Sequence, residues 1–391
     1  MTLEGEMPDP QTSSDLHIAG EPTLTQPVSP RPPEPAETRF LKWTLFGSHG
    51  LRSGWLTALF LLLLFLFMAI LSVAVALVRP GLLEVQSREL TPGPSIVQEL
   101  IQVLALVAAA SICALVERRR LLDYNLTGSH RLRHFLAGLA GGFIALSALA
   151  GALYAGGWMR VGPASLSGAA ILRYGALWGF AFLLTGMGEE GITRCYMLFT
   201  LARGVNYWWA LGSAASFSLF AFLNRSGSGA GGVYLMALIG VAPCLLLHLR
   251  KSPSAGFWEA AWLTSTFFGY IHTFNKGETW IGIFSAAAIG FVFCVSVRLT
   301  GSAWWAIGFH ASWDWAQTFF YGTADSGLMP KGHYLASSPA GTALWSGGSD
   351  GPEGSLLILP ALVLILLALV LVYGRPKQLV ESNPVHQKFA L

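Results

Sequence analysis

Residues 55–77 read WLTALFLLLLFLFMAILSVAVAL, with Arg52 and Arg79 on either side. An α-helix rises 1.5 Å per residue, so a run of this length crosses a hydrocarbon core of about 30 Å. The stretch carries no charge and no helix breaker, and it reads as a membrane-spanning helix. Further apolar segments follow near 95–116, 134–156, 171–187, 207–223, 233–249, 257–275, 279–297, 302–320 and 355–373. The expectation is an all-α polytopic transmembrane helix bundle of about ten spans around a membrane-embedded polar cavity.

Composition agrees. Of 391 residues, 53% are hydrophobic and 12% charged, against about 25% charged in an ordinary soluble domain. The net charge is +3 with Lys and Arg scattered, so no basic, aromatic-interleaved block marks a nucleic-acid partner. The partner the composition demands is the lipid bilayer. Cys113, Cys195, Cys244 and Cys294 lie in apolar runs without a CxxC pair, and read as small packing residues.

Residues 1–38 hold Pro8, Pro10, Pro22, Pro27, Pro30, Pro32, Pro33 and Pro35 with few large apolar residues, too little to offset ordering entropy. Glu4, Glu6, Asp9 and Asp15 do not form a charged-then-apolar leader, so the first spanning helix is expected to drive insertion. The divisions expected are a disordered Pro-rich cytoplasmic tail at 1–50, N-terminal membrane helices at 51–170, a transmembrane core at 171–325 that includes two additional spans near 204–252, an irregular external loop at 326–354, and a last span with a cytoplasmic tail at 355–391. Orientation follows Arg118, Arg119, Arg120, Arg131 and Arg133 in one short loop, which the positive-inside rule makes cytoplasmic. Counting both ways puts the two termini, with Lys42 and Arg375–Lys377, on that same side.

Ionisable residues within apolar sequence carry the chemistry, because a charge at the bilayer centre costs roughly 2.5–3.5 kcal/mol and is retained for a reason. Glu189 and Glu190 are embedded between apolar runs. Glu190 and Arg194 stand four apart and share a helix face as an ion pair, whereas Glu189 is rotated by about 100° and can point into a cavity. His272 follows Phe268 by four, with Asn275 three residues on, able to orient the imidazole. His310 and Asp314 are four apart on one face. Glu99 and Gln102 form a weaker cluster and read as polar packing or as a marker of the outer end.

One carboxylate, two His and one acid on three helices make a hydrolytic site. Glu189 would take a proton from water, His272 would hold that water, and His310 with Asp314 would stabilise the oxyanion. Used as ligands instead, Glu189, His272 and His310 would form a His₂Glu zinc site with an open water position. The alternatives in other classes are a proton-coupled transporter and a non-catalytic membrane scaffold that keeps the fold.

These clusters resemble the CPBP family, the CAAX-protease and bacteriocin-processing intramembrane endopeptidases, which show EExxxR, FxxxH and HxxxN or HxxxD on successive membrane helices. Here the motifs stand as Glu189-Glu190…Arg194, Phe268…His272 and His310…Asp314. The resemblance implies cleavage of a peptide bond of a membrane-associated protein or peptide. It implies water activation by Glu189 and His272, an oxyanion site at His310 and Asp314, and a supporting Glu190–Arg194 pair. It also favours a bacterial inner membrane. Two departures stand out. The family usually separates the Glu pair from the first His by thirty-odd residues, whereas 83 separate Glu189 from His272 here. Asp314 stands where many members carry Asn.

Overall fold

The computed structural model describes residues 40, 42, 44–47, 50–83, 89–224, 229–275, 277–325 and 327–374. The Pro-rich tail and the basic stretch Arg375–Lys377 lie outside them. The chain divides into Met1–Thr44 and a compact unit, Leu45–Leu391, and the second unit carries all ten helices of the bundle.

Helices form at all ten apolar segments: α1 (Ser53–Val78), α2 (Pro92–Glu117), α3 (Arg131–Ala155), α4 (Ala169–Leu201), α5 (Tyr207–Asn224), α6 (Ala230–Leu249), α7 (Ala255–His272), α8 (Trp280–Thr300), α9 (Trp304–Trp315) and α10 (Ile358–Tyr373). The bundle is all-α and polytopic, as expected. Six of the helices, α1, α2, α3, α4, α6 and α8, are long and apolar enough to cross a membrane; α10 is apolar but shorter. The remaining three are the more polar ones, and for two of them the reason is position. Helix α7 buries Glu259, Thr264, Ser265 and Thr266, and α9 buries Ser312 and Asp314. These two are interior helices, shielded from lipid by their neighbours, so they tolerate polar side chains that a lipid-facing helix would not. Helix α1 is the opposite case: Leu62, Phe65, Ile70 and Val73 are exposed on its outer face, as suits a helix facing acyl chains.

Glycine brings α3 and α9 together. A Cβ at Gly138 would fall 2.2 Å from the Trp305 carbonyl oxygen, and one at Gly142 2.2 Å from that of Phe309. From the other side, a Cβ at Gly308 would fall 2.3 Å from the Phe135 carbonyl. The spacing of four puts Gly138 and Gly142 on one face, and small residues there let backbones touch where no hydrophobic effect drives association. The helix that carries His310 and Asp314 is thus fixed by contacts from its own backbone.

Helix α4 widens into a π-helical turn at Gly191–Met197 before ending at Leu201. Such turns concentrate at functional sites. The Asn125 amide donates to the Arg194 carbonyl at 2.7 Å, so the altered turn does not leave that oxygen unpaired.

Strand β1 (Phe46–Gly47) pairs antiparallel with β2 (Gly50–Leu51) before α1. The long connection after α9 reads from its sequence as irregular, and among its described residues it carries only short strands and single helical turns. Strand β3 (Glu89–Leu90) runs parallel to β5 (Met329–Pro330), and β4 (Met159–Ala164) runs antiparallel to β6 (Leu335–Pro339). Chain leaving a helix bundle has backbone groups to satisfy, and here three connections satisfy one another. Side chains then fasten this cap to the bundle. Asp350 Oδ2 accepts from Thr279 Oγ1 at 2.8 Å and from the Thr279 amide at 3.2 Å. Thr279 in turn caps the start of α8 by accepting from the Gly282 amide. The Trp313 indole of α9 donates to Glu353 Oε1 at 2.7 Å. The four cysteines are buried and unpaired.

Candidate active site

A cavity of about 180 Å³ opens between α2, α4, α7, α8, α9 and the cap. Glu189, His272, His310 and Asp314, read from the sequence as one constellation, all line it. Helix α4 supplies the first, α7 the second and α9 the last two.

The Glu190–Arg194 pair lies behind that wall. Both side chains are fully buried, with Arg194 Nε 3.2 Å from Glu190 Oε2. Two charges so deep need partners, and the structure supplies several, although Arg194 Nη2 has no hydrogen-bond partner among the described residues. Arg194 Nε also donates to the Gly290 carbonyl at 3.3 Å, and Nη1 to the Thr193 hydroxyl. The guanidinium lies over the Phe268 ring at 4.3 Å and near the Phe293 ring at 5.5 Å. Gly290 leaves the space: a Cβ there would sit 2.2 Å from Arg194 Nη2.

This pair orients the cavity wall through His310. The His310 Nδ1 and Glu190 Oε1 are 2.9 Å apart. With the proton assigned to Nδ1, as the buried carboxylate requires, Nε2 is turned to the cavity. It lies 3.4 Å from Asp314 Oδ2 and 3.8 Å from Glu189 Oε2. Phe293 stacks on the imidazole at 5.8 Å. Phe268, the aromatic of the FxxxH spacing, has its ring centroid 4.6 Å from that of His272 and its face under Arg194. Its place in the motif is thereby explained: one ring separates the buried cation from the cavity histidine. His272 Nδ1 pairs with the Phe268 carbonyl at 2.7 Å, which leaves Nε2 for the cavity.

Asn275 does not orient that ring. Past the end of α7 its amide donates to Glu278 Oε2 at 3.2 Å, and the backbone carbonyl of the preceding helical turn takes the role instead.

Among the described residues no group of three His, Cys, Asp or Glu side chains is disposed to hold a metal ion. His310 commits Nδ1 to Glu190, and its other nitrogen faces the Glu189 and Asp314 carboxylates.

Several lining residues carry no signal that sequence reasoning recognises. Glu99, which reads as packing, reaches the cavity from α2, and Gln102 covers Gly188 beside it. Asp325 and Glu353 enter from the cap, in Gly-rich sequence that carries no motif. Glu353, outside the spans, is pushed up to about 8, first by burial and then by Asp325 and Asp350. Burial likewise lifts Asp350 to about 6 and raises Glu278 well above the usual carboxylate range. No described residue of α5 or α6 lines the cavity, so the two helices between the Glu pair and His272 leave the wall intact.

Comparison with family models found one match. Residues 244–316 are similar to the family described as Type II CAAX prenyl endopeptidase Rce1-like. That stretch holds Phe268…His272 and His310…Asp314, while Glu189-Glu190…Arg194 stands outside it. No curated protein and no solved structure matches the chain. The matched segment carries α7, α8 and α9, and with them His272, His310 and Asp314 of the cavity wall; over that segment the chain is similar to the type II CAAX prenyl endopeptidase Rce1-like family.

Proposed function

We propose that the chain hydrolyses a peptide bond of a membrane-associated protein or peptide, by a glutamate-type mechanism at Glu189. The observation that supports this reading is the convergence of Glu189, His272, His310 and Asp314 from three helices on one cavity, with His310 held by a buried ion pair. Glu189 takes a proton from a water whose oxygen attacks the scissile carbonyl carbon, and His272 Nε2 holds that water. Negative charge gathers on the carbonyl oxygen, where His310, carrying a second proton as an imidazolium, donates to it from Nε2–H; protonated Asp314 adds a second donor. The C–N bond then breaks. The leaving nitrogen takes the proton from Glu189, giving a carboxyl and an amine end.

The low-dielectric setting strengthens each of these interactions relative to water. Glu190 and Arg194 have a positioning role, since neither lines the cavity.

The proposed setting is a bacterial inner membrane with both termini cytoplasmic. Arg118–Arg120, Arg203, Arg250, Lys251 and Arg298 all fall at the same ends of alternating helices, and Glu117 takes Arg203 at 2.8 Å there. The cavity and its cap then lie toward the opposite face.

The test is cleavage of a quenched peptide library by the detergent-purified protein, with Glu189→Gln beside it. Loss of one general base typically costs 10²–10⁴-fold, so Glu189→Gln should fall by at least about a hundredfold while keeping its thermal stability. A Glu189→Gln protein that cleaves at the wild-type rate would falsify the assignment.

A further inference from the structure

A second cavity, of about 110 Å³, lies against the opposite face of α4 from the polar one. Met187 and Gly191 line it, each two residues from Glu189 and so turned about 200° from it. Val103, Leu106, Val107 and Ala110 of α2 form the facing wall, at the spacing of a single helical stripe. Gly191 keeps the two helices close, since a Cβ there would strike the Leu106 side chain. Val107 and Met187 are exposed, so the cavity opens outward as a groove. Both α2 and α4 are long and apolar enough to cross a membrane, and what such a groove meets there is lipid.

The indole and hydroxyl groups that line the groove are engaged within the protein. The Trp304 indole donates to the Leu126 carbonyl at 3.0 Å, the Tyr124 hydroxyl to Glu117 at 2.9 Å, and the Tyr196 hydroxyl to the Leu56 carbonyl at 3.5 Å. An apolar cavity of this kind stays dry and accepts an apolar occupant. Its size admits an alkyl chain but not a helix about 10 Å across, which argues against a second copy of the chain.

Charge says which lipid. The groove runs beside α2 toward its end at Glu117, where Arg118, Arg119 and Arg120 follow. Glu117 is already shared: it takes Arg119 at 3.4 Å, Arg203 at 2.8 Å and the Tyr124 hydroxyl. Asp123 accepts from the Arg120 amide at 3.1 Å. Arg118 and Arg120 are exposed and form no ion pair among the described residues. Four arginines thus stand against two carboxylates. Arg118 also ends α2 at φ 54°, a left-handed conformation that a residue with a Cβ seldom adopts. Glycine is the usual choice at a helix end, so the arginine is kept there at a conformational cost.

We propose that this groove binds one anionic diacyl phospholipid, with an acyl chain along α2 and α4 and its phosphate at Arg118 and Arg120. The dimensions agree. Val107 lies about 16 Å from Arg118 along the helix axis, close to the half-thickness of about 15 Å of a bilayer's hydrocarbon core. Trp304 and Tyr124, at the basic end, suit the headgroup level, where aromatic rings collect. Basic clusters beside spanning helices attract anionic headgroups, and the groove adds a seat for the chain that a bare cluster lacks. The site stands apart from the endopeptidase reading, since none of its residues lines the polar cavity.

Native mass spectrometry tests this on the protein released from micelles holding equal amounts of phosphatidylglycerol and phosphatidylcholine with matched chains. Wild type is compared with Val107→Trp, which fills the groove, and with the double variant Arg118→Gln, Arg120→Gln. Thermal unfolding in lipid-free detergent checks that each variant is folded. The expected result is one retained phosphatidylglycerol, preferred on the order of twentyfold, about fivefold for each arginine. The double variant should bring the preference near one, and Val107→Trp should lose retention of either lipid. Equal retention of the two lipids by wild type overturns the proposal, as does a preference that survives loss of both arginines. Full phosphatidylglycerol retention by Val107→Trp overturns the seated chain. A lipid-free dimer that Val107→Trp dissociates would assign the groove to a second copy instead.

Discussion

Replacing Gly290, which does not itself line the cavity, by alanine should disable the site. The new Cβ would lie 2.2 Å from Arg194 Nη2, whereas non-bonded heavy atoms settle at about 3.5 Å. The guanidinium must therefore retreat by about 1 Å or more. It has little room, because Phe268 and Phe293 face it and Nε is already shared between Glu190 and the Gly290 carbonyl. Moving Arg194 releases Glu190, and with it the 2.9 Å contact that aims His310. Overpacking by one methyl costs about 1–3 kcal/mol, and full rupture of a buried pair about 3–5 kcal/mol. The two figures bracket an expected destabilisation of about 2–4 kcal/mol. Misplacement of a reacting group by 1 Å costs about a hundredfold in rate, so kcat should fall by that order with KM little changed. The assay pairs peptide cleavage with denaturant unfolding in detergent, and Gly151→Ala on α3 is the control, since a Cβ there meets nothing within 4 Å. A Gly290→Ala protein matching this control in both stability and rate would refute the reasoning.

Three further outcomes are expected. Gly142→Leu should prevent assembly of α3 on α9, because its Cβ would strike the Phe309 carbonyl at 2.2 Å and the Ser312 hydroxyl at 2.3 Å; a folded, monodisperse variant would contradict the packing described. Phe268→Leu removes the ring 4.3 Å from Arg194 and should lower stability by about 1–2 kcal/mol, with kcat reduced through His272; unchanged unfolding would remove the cation–π contact from the account. The third concerns pH. Asp350 is raised to about 6 in the folded protein from about 3.9 unfolded, so the folded state binds the extra proton. Its contribution is full below about pH 4 and is lost as pH rises to 6, by up to about 3 kcal/mol. Asp350→Asn should therefore lose less stability than wild type across pH 4–6, and parallel unfolding profiles would argue against it.

Much of this protein is legible as sequence, for a simple reason. A bilayer leaves the backbone one economical way to cross it, so hydropathy alone locates ten helices from Trp55–Leu77 onward. Helical spacing of four settles that Glu190 meets Arg194 and that His310 meets Asp314. Spacing does not say which polar residue turns inward from a distant helix, and so Glu99 reads as packing. Proximity in sequence places Asn275 beside His272, yet the chain turns at the end of α7 and its amide meets Glu278 instead.

What the sequence by itself determined was the helical, membrane-embedded character and the identity of the local charged pairs, since both follow from interactions within about four residues. The tertiary structure decided the rest. Backbone contact at Gly138, Gly142 and Gly308 sets where α9 stands, and the void at Gly290 admits Arg194. The connection after α9 brings Asp325 and Glu353 over the cavity. These depend on close approach between segments up to some 250 residues apart, and no local pattern of hydropathy or charge encodes which surfaces meet.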